Sequence, residues 1–110
     1  MVTITKAQRN VVFRAIADPT RREILDTLAK REESVMELAK DFDMSLPAVS
    51  QHLKVLRQAR LIRGERKGRQ IFYKINPAPL RLVSRWVHPY ERFWSSKLAA
   101  LEAHLRRRHG

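Results

Sequence analysis

Between Ser45 and Arg57 the chain reads SLPAVSQHLKVLR, and its polar residues fall where a helix would display them. Ser50 and Lys54 are four apart and share one face, while Val49, Leu53 and Leu56 form a stripe on another. Hydroxyl, amide and ammonium groups, as on Ser45, Ser50, Gln51 and Lys54, are the types that hydrogen-bond to base edges in the DNA major groove. No Asp or Glu occurs from Ser45 to Ile62, and an acidic side chain there would face phosphate repulsion. A second set, Arg66, Lys67 and Arg69, surrounds Gly68. Cations at the tip of a hairpin neutralise phosphates without reading sequence. The chemistry on offer is recognition of a polyanion, with bases read by one element and backbone gripped by another.

The charge balance agrees. The 110 residues carry 23 Lys plus Arg against 11 Asp plus Glu, a formal charge of +12. Residues 1–44 hold eight of each sign, so the excess lies downstream. Residues 45–70 hold seven basic residues and Glu65 alone on the acidic side. Such a concentration attracts nucleic acid first and anionic membrane second. With no cysteine, disulfides, thiolate metal sites and cysteine nucleophiles are excluded. Ser50 and His52, two apart on one helix, point away from each other, and neither a glycine-rich phosphate loop nor paired-carboxylate spacing is present, so the pattern is not that of an enzyme. No apolar run reaches the ~20 residues of a membrane span. The start, MVTITKAQRN, lacks a signal-peptide core, so a cytoplasmic location is expected.

The elements that must position these groups follow from caps and periodicity. A first helix is expected over about residues 5–17. Asp18-Pro19 opens a second, to about 31, since Asp caps well and Pro suits the first turn. Ser34 with Glu37 forms a capping-box pattern ahead of a short helix over 35–42. Ser45 and Pro47 open the fourth helix, about 46–59. The period then changes, and 61–66 with 70–75 read as a hairpin around Lys67-Gly68, although Phe72 spoils the alternation. Asn76-Pro77 is expected to open a last helix, with a kink or break near His88 caused by Pro89. The expected fold is mainly α with a small β-hairpin, in the order α-α-α-α-β-β-α. Residues 1–110 are expected to form one winged helix-turn-helix domain.

The segments FRAIADPTRREILDTL (13–28), SVMELAKDFDMSLPAVSQHLKVLRQARLI (34–62) and RKGRQIFYKINP (66–77) resemble the ArsR/SmtB family of bacterial winged-helix transcriptional repressors. The resemblance covers nearly the whole chain, and WVHPYERFW at 86–94 is similar to a subgroup without metal-binding cysteines. It implies double-stranded operator DNA as partner and a DNA-binding set of Ser45, Pro47, Ser50, Gln51, His52, Lys54, Arg57, Arg66, Lys67 and Arg69. It also implies a homodimer through the first and last helices, with Val11, Val12, Trp86, Tyr90, Phe93, Trp94, Leu98 and Leu101 at the interface. The stripe from Trp86 to Leu101 points the same way independently, being more apolar than one terminal helix of a small domain should expose.

Many relatives release DNA on binding a metal. The family's Cys-x-Cys site has no counterpart in SVMELAKDF, and Trp86 stands where the Asp of the last-helix site would precede His88. No metal or cofactor is therefore expected, and a small-molecule effector is left undefined. The alternatives are a sequence-independent architectural DNA binder, a metal sensor built on His88, His104 and His109, and a basic membrane-surface protein.

Overall fold

Asp18-Pro19 sets the first boundary. In the computed structural model, α1 (Val2–Ile16) stops just before this pair and α2 (Pro19–Lys30) starts on it. The Arg21 backbone N–H donates to Asp18 Oδ2 at 3.0 Å, and that bond holds the Asp18 carboxyl below its ordinary pKa. The structure describes residues 2–109, with the side chains of 2–5, 95, 96, 99 and 109 outside the description. Two arginines of α2 then satisfy the open carbonyls at the end of α1. Arg21 donates from Nε to the Ala15 carbonyl at 2.7 Å and from Nη2 to that of Arg14 at 3.0 Å, while Arg22 Nη1 reaches the Ile16 carbonyl at 2.7 Å.

A two-residue strand, β1 (Glu33–Ser34), precedes α3 (Val35–Phe42). The expected capping box is present: the Glu37 N–H donates to Ser34 Oγ at 3.2 Å, and the Ser34 N–H donates to Glu37 Oε1 at 3.0 Å. Ser34→Ala should cost about 1 kcal/mol of stability, read from the urea midpoint at unchanged slope. No shift in the midpoint would mean that water replaces the cap.

The turn between α3 and α4 (Leu46–Gln58) rests on Asp43, which is left-handed at φ 51°. The Asp43 and Met44 N–H groups donate to the Lys40 and Ala39 carbonyls at 3.3 and 3.0 Å, a Schellman closure. The end of α4 repeats it. Arg60 is left-handed at φ 61°, its N–H donates to Arg57 O at 2.9 Å, and the Leu61 N–H donates to Leu56 O at 3.0 Å. Leu56 and Leu61 are fully buried, supplying the apolar contact such closures use.

The hairpin β2 (Ile62–Lys67) and β3 (Gln70–Ile75) forms as expected, with Lys67 opposite Gln70. Only Gly68 in its two-residue loop is left-handed (φ 65°). The expected two-stranded hairpin is corrected to a three-stranded antiparallel sheet, β1-β3-β2, because Glu33 and Ser34 pair with Tyr73 and Phe72. β3 is thus the central strand, with Tyr73 buried and Phe72 half-buried on the alternate face. The single core joins Val12 and Ala15 of α1 and Ile24, Leu25 and Leu28 of α2 to Leu38, Val49, Leu53, Leu56, Tyr73 and Leu82.

The last helix differs from expectation at two points. Asn76-Pro77 opens a turn rather than a helix: the Leu80 N–H donates to Pro77 O at 2.9 Å, and Asn76 Nδ2 donates to Arg60 O at 2.8 Å instead of capping. α5 therefore begins later and runs from Leu80 to His109 without a break at Pro89. A proline removes one i→i−4 bond, and the ladder on either side carries the helix across it. At 1.5 Å per residue α5 is about 45 Å long, in a molecule 59 Å in its longest dimension.

Candidate nucleic-acid interface

The capped turn after Asp43 fixes the direction of α4, and burial fixes its rotation. Val49, Leu53 and Leu56 lie in the core, so Pro47, Ser50, Gln51, Lys54 and Arg57 are left exposed. Among the described residues no carboxylate pairs with Lys54 or Arg57. Apart from Pro47, the face carries hydrogen-bonding groups and positive charge. Ser45 is exposed, but its hydroxyl accepts the Ala48 N–H at 3.2 Å and so serves the helix start. His52 departs from the set. It turns back onto the start of α2, with Nδ1 3.4 Å from Arg21 Nη1 and 3.9 Å from Asp18 Oδ2. Its ring lies between α4 and the start of α2. Together with the Arg21 bonds to α1, this contact ties α1, α2 and α4 to one another, a role the sequence pattern did not reveal.

The wing is similarly exposed but not uniformly free. Arg66 and Arg69 make no ion pair among the described residues. Lys67 Nζ instead donates to Glu32 in the loop after α2, and also lies 5.6 Å from the centre of the Phe72 ring. Lys74 bridges Glu65 at 2.9 Å and Glu32 at 3.5 Å. These bonds hold both carboxyls below their ordinary pKa, Glu32 chiefly through Lys67 and Glu65 chiefly through Lys74. The wing is therefore strapped to the body of the protein through Glu32. Close by, buried Glu33 binds Arg31 Nε at 2.9 Å through Oε1 and leaves Oε2 without a partner. Burial pushes its carboxyl pKa up, and Asp41 adds to the rise.

The dimer set divides. Val12 is wholly buried in the core of its own chain, so the expectation that it lies at an interface is corrected; Val11 is only partly buried. Trp86, Tyr90, Phe93, Trp94, Leu98 and Leu101 are 44% to 57% exposed along one helix. Phe13 meets Trp86 edge to face, with centroids 5.4 Å apart, and Trp86 lies 5.4 Å from Tyr90. Trp86, Val87, Tyr90 and Trp94 line an open apolar hollow of about 360 Å³. His88 sits 3.4 Å from Glu91, and among the described residues no three of His, Cys, Asp and Glu converge as metal ligands. The His109 side chain lies outside the described residues. Among the described residues no helix is long and apolar enough to cross a membrane.

Comparison with known proteins places this geometry. The family model described as "Bacterial regulatory protein, arsR family" matches residues 18–63, the segment from the α2 cap into β2. Transcriptional repressor SdpR of Bacillus subtilis is 42% identical over 78 residues, 71% of this chain and 87% of that protein. An ArsR-like transcriptional regulator from a Rhodococcus species superposes with a TM-score of 0.71 at 33% identity, covering 89% of this chain and 92% of its own. The homodimeric winged helix-turn-helix DNA-binding domain Mb0332 of Mycobacterium bovis, described as a possible ArsR-family regulator, gives a TM-score of 0.63 at 27% identity, with 82% of each chain covered.

Proposed function

This chain belongs to the arsR family of bacterial regulatory proteins, and from that premise we propose a homodimeric transcriptional repressor that reads a specific double-stranded site. The observation that carries the reading is the exposed, acid-free face of α4 bearing Ser50, Gln51, Lys54 and Arg57. Such a helix enters the major groove with its first turns at base edges. The homodimeric domain Mb0332 and the exposed stripe of α5 support pairing through the outer helices. Two reading helices then meet the duplex about 34 Å apart, so the site is an imperfect palindrome. A site beside the protein's own promoter would make it autoregulatory. Binding needs no metal in this reading, and its place is the cytoplasm.

Selection of bound fragments from the source genome tests the proposal. A recovered site preferred over random duplex by ~10³ or more supports a specific regulator. Equal retention of all fragments would leave an architectural binder in its place.

The wing gives a separate prediction. Replacing Arg66, Lys67 and Arg69 with Ala should weaken binding to every duplex and flatten its salt dependence. Each phosphate no longer neutralised by the protein reduces the logarithmic slope by about 0.9. A slope identical to that of the parent protein would remove the wing from the interface.

A further inference from the structure

We propose that the cleft where the end of α4 meets α1 and the start of α5 binds an amphipathic organic anion, a carboxylate or phosphate on an apolar body. One lobe, of about 320 Å³, is lined by Arg60, Arg81 and Arg85 with Gln8 and Asn76. No acidic residue lines it, and none of its three guanidinium groups has an ion-pair partner among the described residues. Arg81 and Arg85 are four apart on α5 and present their charges from one face. Arg60 approaches from the other side, its backbone held by the Asn76 side chain at 2.8 Å. Three converging, unpaired guanidinium groups are a fork set for carboxylate or phosphate oxygens.

The second lobe defines the rest of the ligand. It shares Gln8 and Arg60 with the first, measures about 400 Å³, and is otherwise walled by Ala7, Val11, Gln58 and Ala59, with Val11 also in the expected dimer set, so that a paired copy would border this lobe. Cavities of this size take small molecules, with a few polar groups fixing orientation against apolar walls. A bare anion would leave this lobe empty, and a neutral apolar molecule would leave the arginines unanswered.

Arg60 adds an independent mark. It occupies the left-handed closing position of α4, where glycine is the ordinary choice and a side chain is strained. Here the guanidinium is retained at a site where its removal should relieve the backbone. That makes Arg60→Gly a discriminating variant, because a purely structural residue would improve stability with no loss elsewhere.

The test titrates the full chain with decanoate, acetate and decanol, reading heat by calorimetry and the Gln8 and Asn76 side-chain amides by NMR. Decanoate should bind and shift both amides, with acetate and decanol at least tenfold weaker. Arg60→Gly should raise the urea midpoint yet weaken decanoate at least tenfold, and Arg81→Gln/Arg85→Gln should weaken it equally. Absence of decanoate binding, or equal binding by parent and variants, overturns the proposal. So does a loss of duplex affinity in ligand-free Arg81→Gln/Arg85→Gln with decanoate binding intact, which would assign the arginines to phosphates of DNA. The binding result stands apart from the regulatory reading, since it is obtained without DNA.

Discussion

Ser50→Ala/Gln51→Ala should lower affinity for the cognate site by about a hundredfold or more, while changing random-duplex affinity by less than about threefold. A good base-edge pair contributes ~1–3 kcal/mol of discrimination, and both residues stand exposed on the acid-free face of α4. Neither supports the core, which Val49, Leu53 and Leu56 hold from the opposite side. The helix should therefore melt as before. Lys54, Arg57 and the wing arginines are untouched, so the electrostatic share of binding persists. Fluorescence anisotropy on both duplexes at one salt concentration gives the answer. Equal losses on the two would show that this face grips the backbone and that base reading lies elsewhere.

Leu98→Glu should convert the protein to a monomer at micromolar concentration and reduce operator affinity by at least a hundredfold. Leu98 is 54% exposed and outside the core, so a charge there costs the isolated chain little. Across a paired helix seam the same carboxylate would be buried without a partner. On the proposed palindromic site, loss of pairing would also separate the two half-site contacts, which would otherwise reinforce each other through effective concentration. Sedimentation velocity and operator titration read the two effects, and circular dichroism checks that the chain still folds. A variant that remains dimeric would move the interface off this stripe.

The parts of the fold that were legible in the sequence are those decided within a few residues. Asp18-Pro19, Ser34 with Glu37, and Ser45 with Pro47 each close a local hydrogen bond, and each marks a helix start in the structure. The acid-free face of α4 was legible because burial of Val49, Leu53 and Leu56 at helical spacing leaves it one orientation. What escaped depends on distant partners. β1 is two residues long and exists only because β3 lies beside it. Asn76 has the chemistry of a cap, but the Arg60 carbonyl at 2.8 Å takes its amide. His52 stands in the DNA-binding set that the resemblance implies, and its partners Asp18 and Arg21 are more than thirty positions away in the chain. Lys67 looks free until the chain brings Glu32, thirty-five positions away, against it.

α5 carries one further consequence. Its first turns are anchored by Leu80, Leu82 and Val83, but beyond Tyr90 it leaves the core and runs on with its apolar side uncovered. A helix segment without tertiary cover is marginal in water. If a second copy supplies that cover, ordering of the distal half follows dimer formation and so rises with the square of free monomer concentration. Expression level then acts as an input signal: a scarce repressor disarms itself, and an accumulating one switches on more steeply than its abundance rises.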